Sequence, residues 1–272
     1  METLINTDKQ AVREFWERAA CGEELYLYDA GRQAYHEQAC RRYELEPYIE
    51  QFARFQSTQG QRVLEIGVGL GADHQRFAEA GAILCGIDLT ERAVVHARRR
   101  LEHCGLASEL KQGDAENLSF DDESFDLVYS WGVIHHSPNT SRAVSEIYRV
   151  LKPGGTAKLM IYHKWSLVGY MLWVRYALLR LRPWLSLADI YARYLESPGT
   201  KAYSVSRARR LFGAFGDVEI QTLLTHADLL ESAAGQRHRG VFQSFARRIW
   251  PRALLRKFAT RHGLSMLIRA TK

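Results

Sequence analysis

The sequence predicts an α/β fold with a mostly parallel sheet, and three observations carry that expectation. Beyond residue 60, short apolar runs alternate with amphipathic segments of helical period. Strands joined by helical crossovers make a parallel sheet covered on both faces. The first of these runs, Arg62–Ile66, opens directly into a glycine loop, Gly67-Val68-Gly69-Leu70-Gly71. An acid then stands at the end of each of the next two runs, Asp88 and Asp114.

The elements follow in order. Residues 8–57 read as helical, because Phe15, Trp16, Tyr43, Ile49, Phe52 and Phe55 recur at helix-like spacing among polar residues, with a break from Tyr26 to Gly31. Strands are expected at Arg62–Ile66, Ile83–Ile87, Glu109–Gln112, Phe125–Ser130 and Ala157–Tyr162, and helices at Gly71–Ala80, Glu91–His103 and Thr140–Leu151. Pro153-Gly154-Gly155 reads as a turn into the fifth strand. Ser204–Phe215 follows as a helix that Ser204 or Ser206 can cap, then a strand at Val218–Leu224. Alternation of Leu264, Met266, Ile268 and Ala270 marks a final strand. Residues 1–57 are therefore expected as a helical lid on a domain of residues 58–272, with helical insertions near 163–203 and 225–262.

Composition bounds the rest. A chain of 272 residues fits one core with elaborations. Its +6 charge is uneven: residues 201–272 hold 14 Lys and Arg against 4 Asp and Glu, and no acid follows Glu231. Cys21, Cys40, Cys85 and Cys104 form no CxxC pair, so neither a metal site nor a disulfide framework is expected. The polar start METLINTDKQ has no signal-peptide core, and Arg175, Arg180 and Arg182 interrupt the most apolar stretch, Trp165 to Leu185. A cytoplasmic protein is the expectation.

The glycine loop lets backbone approach a ligand closely, and a nucleotide-type cofactor is its usual occupant. Asp88, 21 residues after Gly67, stands where an acid can accept ribose hydroxyls, and Asp114 where one can accept an adenine amino group. Glu65 and Asp73 flank the loop and would repel a pyrophosphate, whereas an ammonium and a sulfonium would suit them. Glu65 as a purely structural acid competes with that reading.

VLEIGVGLGAD, GIDLT, GDAENLSFDDESFDLVYSWGVIHH and RVLKPGG resemble, in order and spacing, the motifs of class I S-adenosylmethionine-dependent methyltransferases, nearest to the small-molecule group that includes the ubiquinone and menaquinone enzymes. The resemblance covers residues 62–162. It implies a Rossmann-like seven-stranded sheet whose last strand is antiparallel, and S-adenosyl-L-methionine as cofactor. It implies further that Glu65, Gly67, Gly69 and Gly71 line the methionine part, that Asp88 holds the ribose with Leu89 on the adenine, that Asp114 and Ala115 meet the adenine edge, and that Ser130 and Trp131 close the pocket.

His135 and His136 follow the fourth strand, where one of them could be a general base; packing and backbone hydrogen bonding explain them equally well. Tyr162 and His163, at the carboxyl end of the fifth strand, and Tyr28, from the helical lid beside Tyr26 and Tyr35, are the candidate substrate contacts. The expected reaction is methyl transfer to O, N or C of a small apolar or aromatic metabolite or natural product. The alternatives are a membrane-surface enzyme acting on a lipid-linked acceptor and a non-catalytic cofactor-binding scaffold. Residues 237–272 carry ten Lys and Arg and no acid, interleaved with aromatic and aliphatic residues, which fits peripheral association with an anionic membrane as well as it fits a solvated face. No RNA-stacking motif occurs, so nucleic acid is not an expected partner.

Overall fold

A computed structural model describes residues 2–231 and 250–272. Seven strands form one sheet in the order β3-β2-β1-β4-β5-β7-β6. These are β1 (Arg62–Ile66), β2 (Ile83–Asp88), β3 (Glu109–Gln112), β4 (Phe125–Trp131), β5 (Leu151–Tyr162), β6 (Asp217–Leu223) and β7 (Ser265–Thr271). The first five run parallel, and β7 lies antiparallel between β5 and β6. Strand β5 is longer than expected: it starts at Leu151 and contains Pro153-Gly154-Gly155, with a register irregularity opposite Phe125 and Leu127.

Period-two alternation sorts the sheet's residues onto two faces. Leu64, Val128, Leu159 and Ile268 pack under α7 (Thr140–Val150) and α10 (Val205–Leu211), meeting Val144, Ile147 and Ala208. Val63, Leu127, Tyr129, Met160 and Leu267 face the other way, against Ile49 and Ala53 of α4 (Tyr48–Ala53) and Phe77 of α5 (Ala72–Glu79). Helix α6 (Glu91–His103) is capped by Thr90, whose hydroxyl accepts from the Ala93 amide.

Upstream lie α1 (Glu2–Arg18), α2 (Glu23–Tyr26) and α3 (Arg32–Leu45), with the expected break between α2 and α3. Between β5 and β6 come α8 (Leu167–Tyr176), α9 (Leu187–Ile190) and a π-helical turn, Tyr191–Leu195. They form their own apolar cluster, with Val168, Leu172, Ile190 and Tyr191 at its centre. Helix α11 (Arg252–Phe258) precedes β7. Among the described residues, no helix is long and apolar enough to cross a membrane. The chain reverses strand order between β1 and β4, and at such a switch point the carboxyl ends of the strands open a crevice.

Candidate active site

That crevice is a cavity of about 880 Å³. One half is built from backbone. Gly67, Gly69 and Gly71 all adopt positive φ (83°, 51° and 75°), so the chain leaves β1, turns and enters α5 within five residues. A Cβ on Gly67 would lie 2.2 Å from Val133, and one on Gly71 2.9 Å from the Ala97 backbone of α6, whereas Gly69 has nothing within 4 Å. The loop is tied from behind by the buried Arg100, which donates to the Leu70 carbonyl at 2.7 Å and to Gln38.

Asp88 ends β2 with its carboxylate on the loop. Oδ2 accepts from the Gly69 amide at 3.1 Å, and Oδ1 from the Thr90 amide and hydroxyl at 3.0 and 2.8 Å. Those bonds use three of the roughly four lone-pair directions of a carboxylate, leaving one on Oδ2 for a ligand hydroxyl. Burial pushes its carboxyl above the ordinary value. Asp114 accepts from the Glu116 amide at 2.9 Å and pairs with Lys9 of α1 at 2.7 Å. Leu89 and Ala115 line the same end.

The acids flanking the loop differ from the expectation. Glu65 is buried and its Oε2 lies 2.8 Å from His74 Nδ1. The Ser108 hydroxyl donates to the Leu84 carbonyl, so it accepts from His74 Nε2, 2.8 Å away. A neutral imidazole then presents a lone pair at Nδ1, and Glu65 must carry the proton between them. Burial acts the same way, raising the Glu65 carboxyl and lowering His74 to about 3. Burial would also raise Asp73, but Arg42 at 2.6 Å and the Tyr43 and Tyr129 hydroxyls outweigh it and hold the carboxyl low. Glu65 is thus a neutral lining group and Asp73 half of an ion pair. Neither offers the unpaired negative charge expected beside the loop.

Side chains build the other half. His136 lines it, with Nδ1 2.8 Å from the Ser197 hydroxyl and Nε2 3.3 Å from Glu196 Oε2, and Trp16 of α1 meets the ring edge-on at 5.4 Å. The Tyr162 hydroxyl donates to the same carboxylate oxygen at 2.8 Å. Lys201 bonds the His135, Ser137 and Pro138 carbonyls, locking the segment after Glu196 onto the segment after β4. Leu167, Tyr170, Met171 and Val174 of α8 add an apolar wall, and Arg175 lines the cavity beside them.

Four expected site residues lie elsewhere. Ser130 is buried on the opposite side of β4 and donates to the Ile66 carbonyl, while its neighbour Trp131 does line the cavity. His135 is fully buried behind the wall, its ring 4.0 Å from that of Tyr162, with neither nitrogen hydrogen-bonded. His163 turns away from the cavity, its Nδ1 3.2 Å from the Gly263 carbonyl. Tyr28 is 64% exposed outside the cavity, whereas Tyr26 reaches it. Of the basic segment, 237–249 falls outside the described residues, and 265–271 is the buried strand β7, so only 250–262 offers a described surface. Sequence reasoning missed Lys9, Trp16, Arg42 and Glu196. Only Glu196 had a local signal, the Ser-Pro-Gly-Thr turn that follows it.

A family described as "Methyltransferase domain" matches residues 64–159. Phosphoethanolamine N-methyltransferase 2 of Caenorhabditis elegans is 40% identical over 119 residues, covering 43% of this chain and 26% of that protein. Phosphatidylethanolamine N-methyltransferase of Cereibacter sphaeroides is 39% identical over 101 residues, covering 36% and 49%. The chain thus spans less than half the length of either relative. Phospholethanolamine N-methyltransferase 2 of Haemonchus contortus, solved with phosphomonomethylethanolamine and S-adenosylhomocysteine, aligns over 96% of this chain and 60% of its own, with a TM-score of 0.58 and 19% identity, which speaks to the fold. The match spans β1 through most of β5, the strands whose carboxyl ends hold the glycine loop, Asp88 and Asp114, so residues 64–159 are similar to a methyltransferase domain, and the solved structure shares the fold of the seven-stranded sheet around them.

Proposed function

We propose that this protein transfers a methyl group from S-adenosylmethionine to an O or N nucleophile on an acceptor with an apolar body. The observation that carries this reading is the continuity of the cavity. One cavity is lined by the glycine loop, Asp88 and Asp114 and also by His136, Tyr162 and Glu196, which come from the carboxyl ends of β1, β2, β3, β4 and β5 and from the segment after the π-helical turn. A volume of about 880 Å³ lies near the top of the range for ligand sites, enough for a cofactor and an acceptor side by side.

The residues fit the cofactor. Gly69 has open space where a side chain would stand, Asp88 keeps one acceptor direction, and Asp114 lies at the end lined by Leu89 and Ala115. When bound, the cofactor supplies an electrophilic methyl carbon and departs as a neutral thioether. The protein therefore needs chiefly to align the acceptor and exclude water. Helix α1 does the second, its Lys9, Val12, Phe15 and Trp16 covering the cavity. Glu196 does the first. With Ser197 donating to His136 Nδ1, His136 Nε2–H and the Tyr162 hydroxyl both point to Glu196, fixing a carboxylate that orients an acceptor O–H or N–H and takes its proton.

Calorimetric titration with S-adenosylmethionine, S-adenosylhomocysteine and NADH tests the cofactor half. Both sulfur compounds should bind and NADH should not, and Asp88→Ala should weaken binding about tenfold, ~1.4 kcal/mol. Failure of both sulfur compounds to bind overturns the reading.

A second reading, that the acceptor is a lipid, is favoured by the apolar wall that Leu167, Tyr170, Met171 and Val174 of α8 give the cavity. The relative named for phosphatidylethanolamine points the same way.

A further inference from the structure

The wall of α8 continues into the most exposed apolar surface among the described residues. After Tyr176 the chain makes a 3₁₀ turn, Leu178–Arg180, and Leu181 then takes a left-handed conformation, φ 56°, which is uncommon for a leucine. The turn projects Leu179, Leu181 and Trp184, which are 62%, 83% and 75% exposed. None of the three belongs to an apolar cluster among the described residues, and exposed large apolar side chains gathered within six residues mark an interaction surface.

Charge narrows the partner. From Lys164 to Ala188 the chain carries Lys164, Arg175, Arg180 and Arg182 and no acid. Arg175 and Arg180 lie over the Tyr176 ring at 5.2 and 5.0 Å, so their cationic ends flank the apolar tip. At the start of α8, His262 approaches the Tyr170 hydroxyl at 3.4 Å and the Trp165 carbonyl at 3.0 Å, which sets the turn that follows α11 against that end of the helix. Helix α11 itself adds exposed Leu254 and Phe258 with Lys257, while its Arg256 pairs with Glu231. A second copy of this chain seated tip to tip would bury the leucines but set the arginines against their own kind. An anionic lipid surface accepts both, taking Leu and Trp at the depth of the headgroups and Arg among the phosphates.

We propose that residues 178–184 dock this protein on an anionic membrane with the α8 side of its cavity facing the lipid. The docking stands on exposure and charge alone. Its consequence, entry of a lipid acceptor along α8 past Leu167, Tyr170, Met171 and Val174, rests on the function proposed above.

Cosedimentation with vesicles of phosphatidylcholine and phosphatidylglycerol, against phosphatidylcholine alone, tests the docking. Wild type should sediment with the anionic vesicles and be released by salt. The triple variant Leu179→Ser, Leu181→Ser and Trp184→Ser should lose binding roughly tenfold or more, because it removes the inserted side chains. Arg180→Gln with Arg182→Gln should lose the salt-sensitive part. These five side chains lie outside the cavity, so S-adenosylmethionine titration of the same variants should match wild type and reports on folding. Wild type that stays in the supernatant, or tip variants that bind as well as wild type, overturns the proposal. So does a wild-type dimer that the triple variant abolishes, which would make the patch a contact between copies. Vesicle binding without cofactor binding would sink the proposed function and leave the docking intact.

Discussion

The two halves of the cavity are built by different means. On the side of β1, β2 and β3 the ligand-facing surface is mainly backbone at positive φ together with short acids at strand ends, all within 48 residues of sequence from Gly67 to Asp114. On the side of β4 and β5 it is made of side chains from segments as far apart as Trp16, His136 and Glu196. A backbone conformation that excludes side chains restricts the residue type sharply, whereas an apolar wall accepts almost any residue of the right volume. The first half therefore has little freedom in its sequence and the second a great deal.

If that contrast is right, the largest effect of a small substitution should fall in the glycine loop. Gly71→Ala puts a methyl group 2.9 Å from the Ala97 backbone at φ 75°, so α5 and α6 must part. We expect a loss of about 3 kcal/mol in urea unfolding. Gly69→Ala, at φ 51° with nothing within 4 Å, should cost only about 1 kcal/mol of strain, and should show its effect as weaker cofactor binding. Equal losses of stability at the two positions would break the distinction between packing glycine and ligand glycine.

The same contrast explains what could be seen in the sequence. The succession of strands and helices after residue 60, the helix cap at Ser204 and the placement of Gly67, Gly69, Gly71, Asp88 and Asp114 at one sheet edge all follow from local patterns, because each is set by backbone geometry within a few residues. Three of the four misplaced residues fall in adjacent pairs. In three adjacent pairs, Ser130–Trp131, His135–His136 and Tyr162–His163, both members were expected at the site, and in each the structure brings one to the cavity and turns the other away. At Ser130–Trp131 and Tyr162–His163 the chain is extended and neighbouring side chains point to opposite faces, so position near a strand end selects the pair and the pleat selects the member, whereas His135 and His136 lie in a turn whose His136 amide donates to the Val133 carbonyl. Glu65 and Asp73 fail differently. Their charges are set by His74, nine residues from Glu65, and by Arg42, 31 residues before Asp73. No local pattern announces such partners.

On the side-chain half, Glu196→Gln sharpens the comparison. It keeps shape but removes the carboxylate that Tyr162 and His136 hold. Cofactor affinity by calorimetry should not move, while kcat/KM with an identified acceptor should fall roughly tenfold to hundredfold. Equal damage to cofactor affinity would mean that the halves are one site energetically.

The smallest expected effect concerns His135, the member of its pair that was turned inward. A neutral imidazole there holds one N–H and one lone pair away from water with no partner, a cost in the folded state. Burial, with a smaller contribution from His136, drives its pKa well below the ordinary 6.5. The unfolded chain takes up a proton there near pH 6.5 and the folded one does not, so its contribution is whole above that pH and is lost as pH falls through it. His135→Phe keeps a ring against Tyr162 and removes both nitrogens. It should raise stability by about 1 kcal/mol at pH 7.5 and lessen the decline of thermal midpoint between pH 6.5 and 5. The decline should persist in part, because His74 is also held neutral, at about 3. A variant less stable than wild type, with the acid slope unchanged, would show that the imidazole nitrogens find partners in solution and that His135 belongs to the reactive half of the cavity after all.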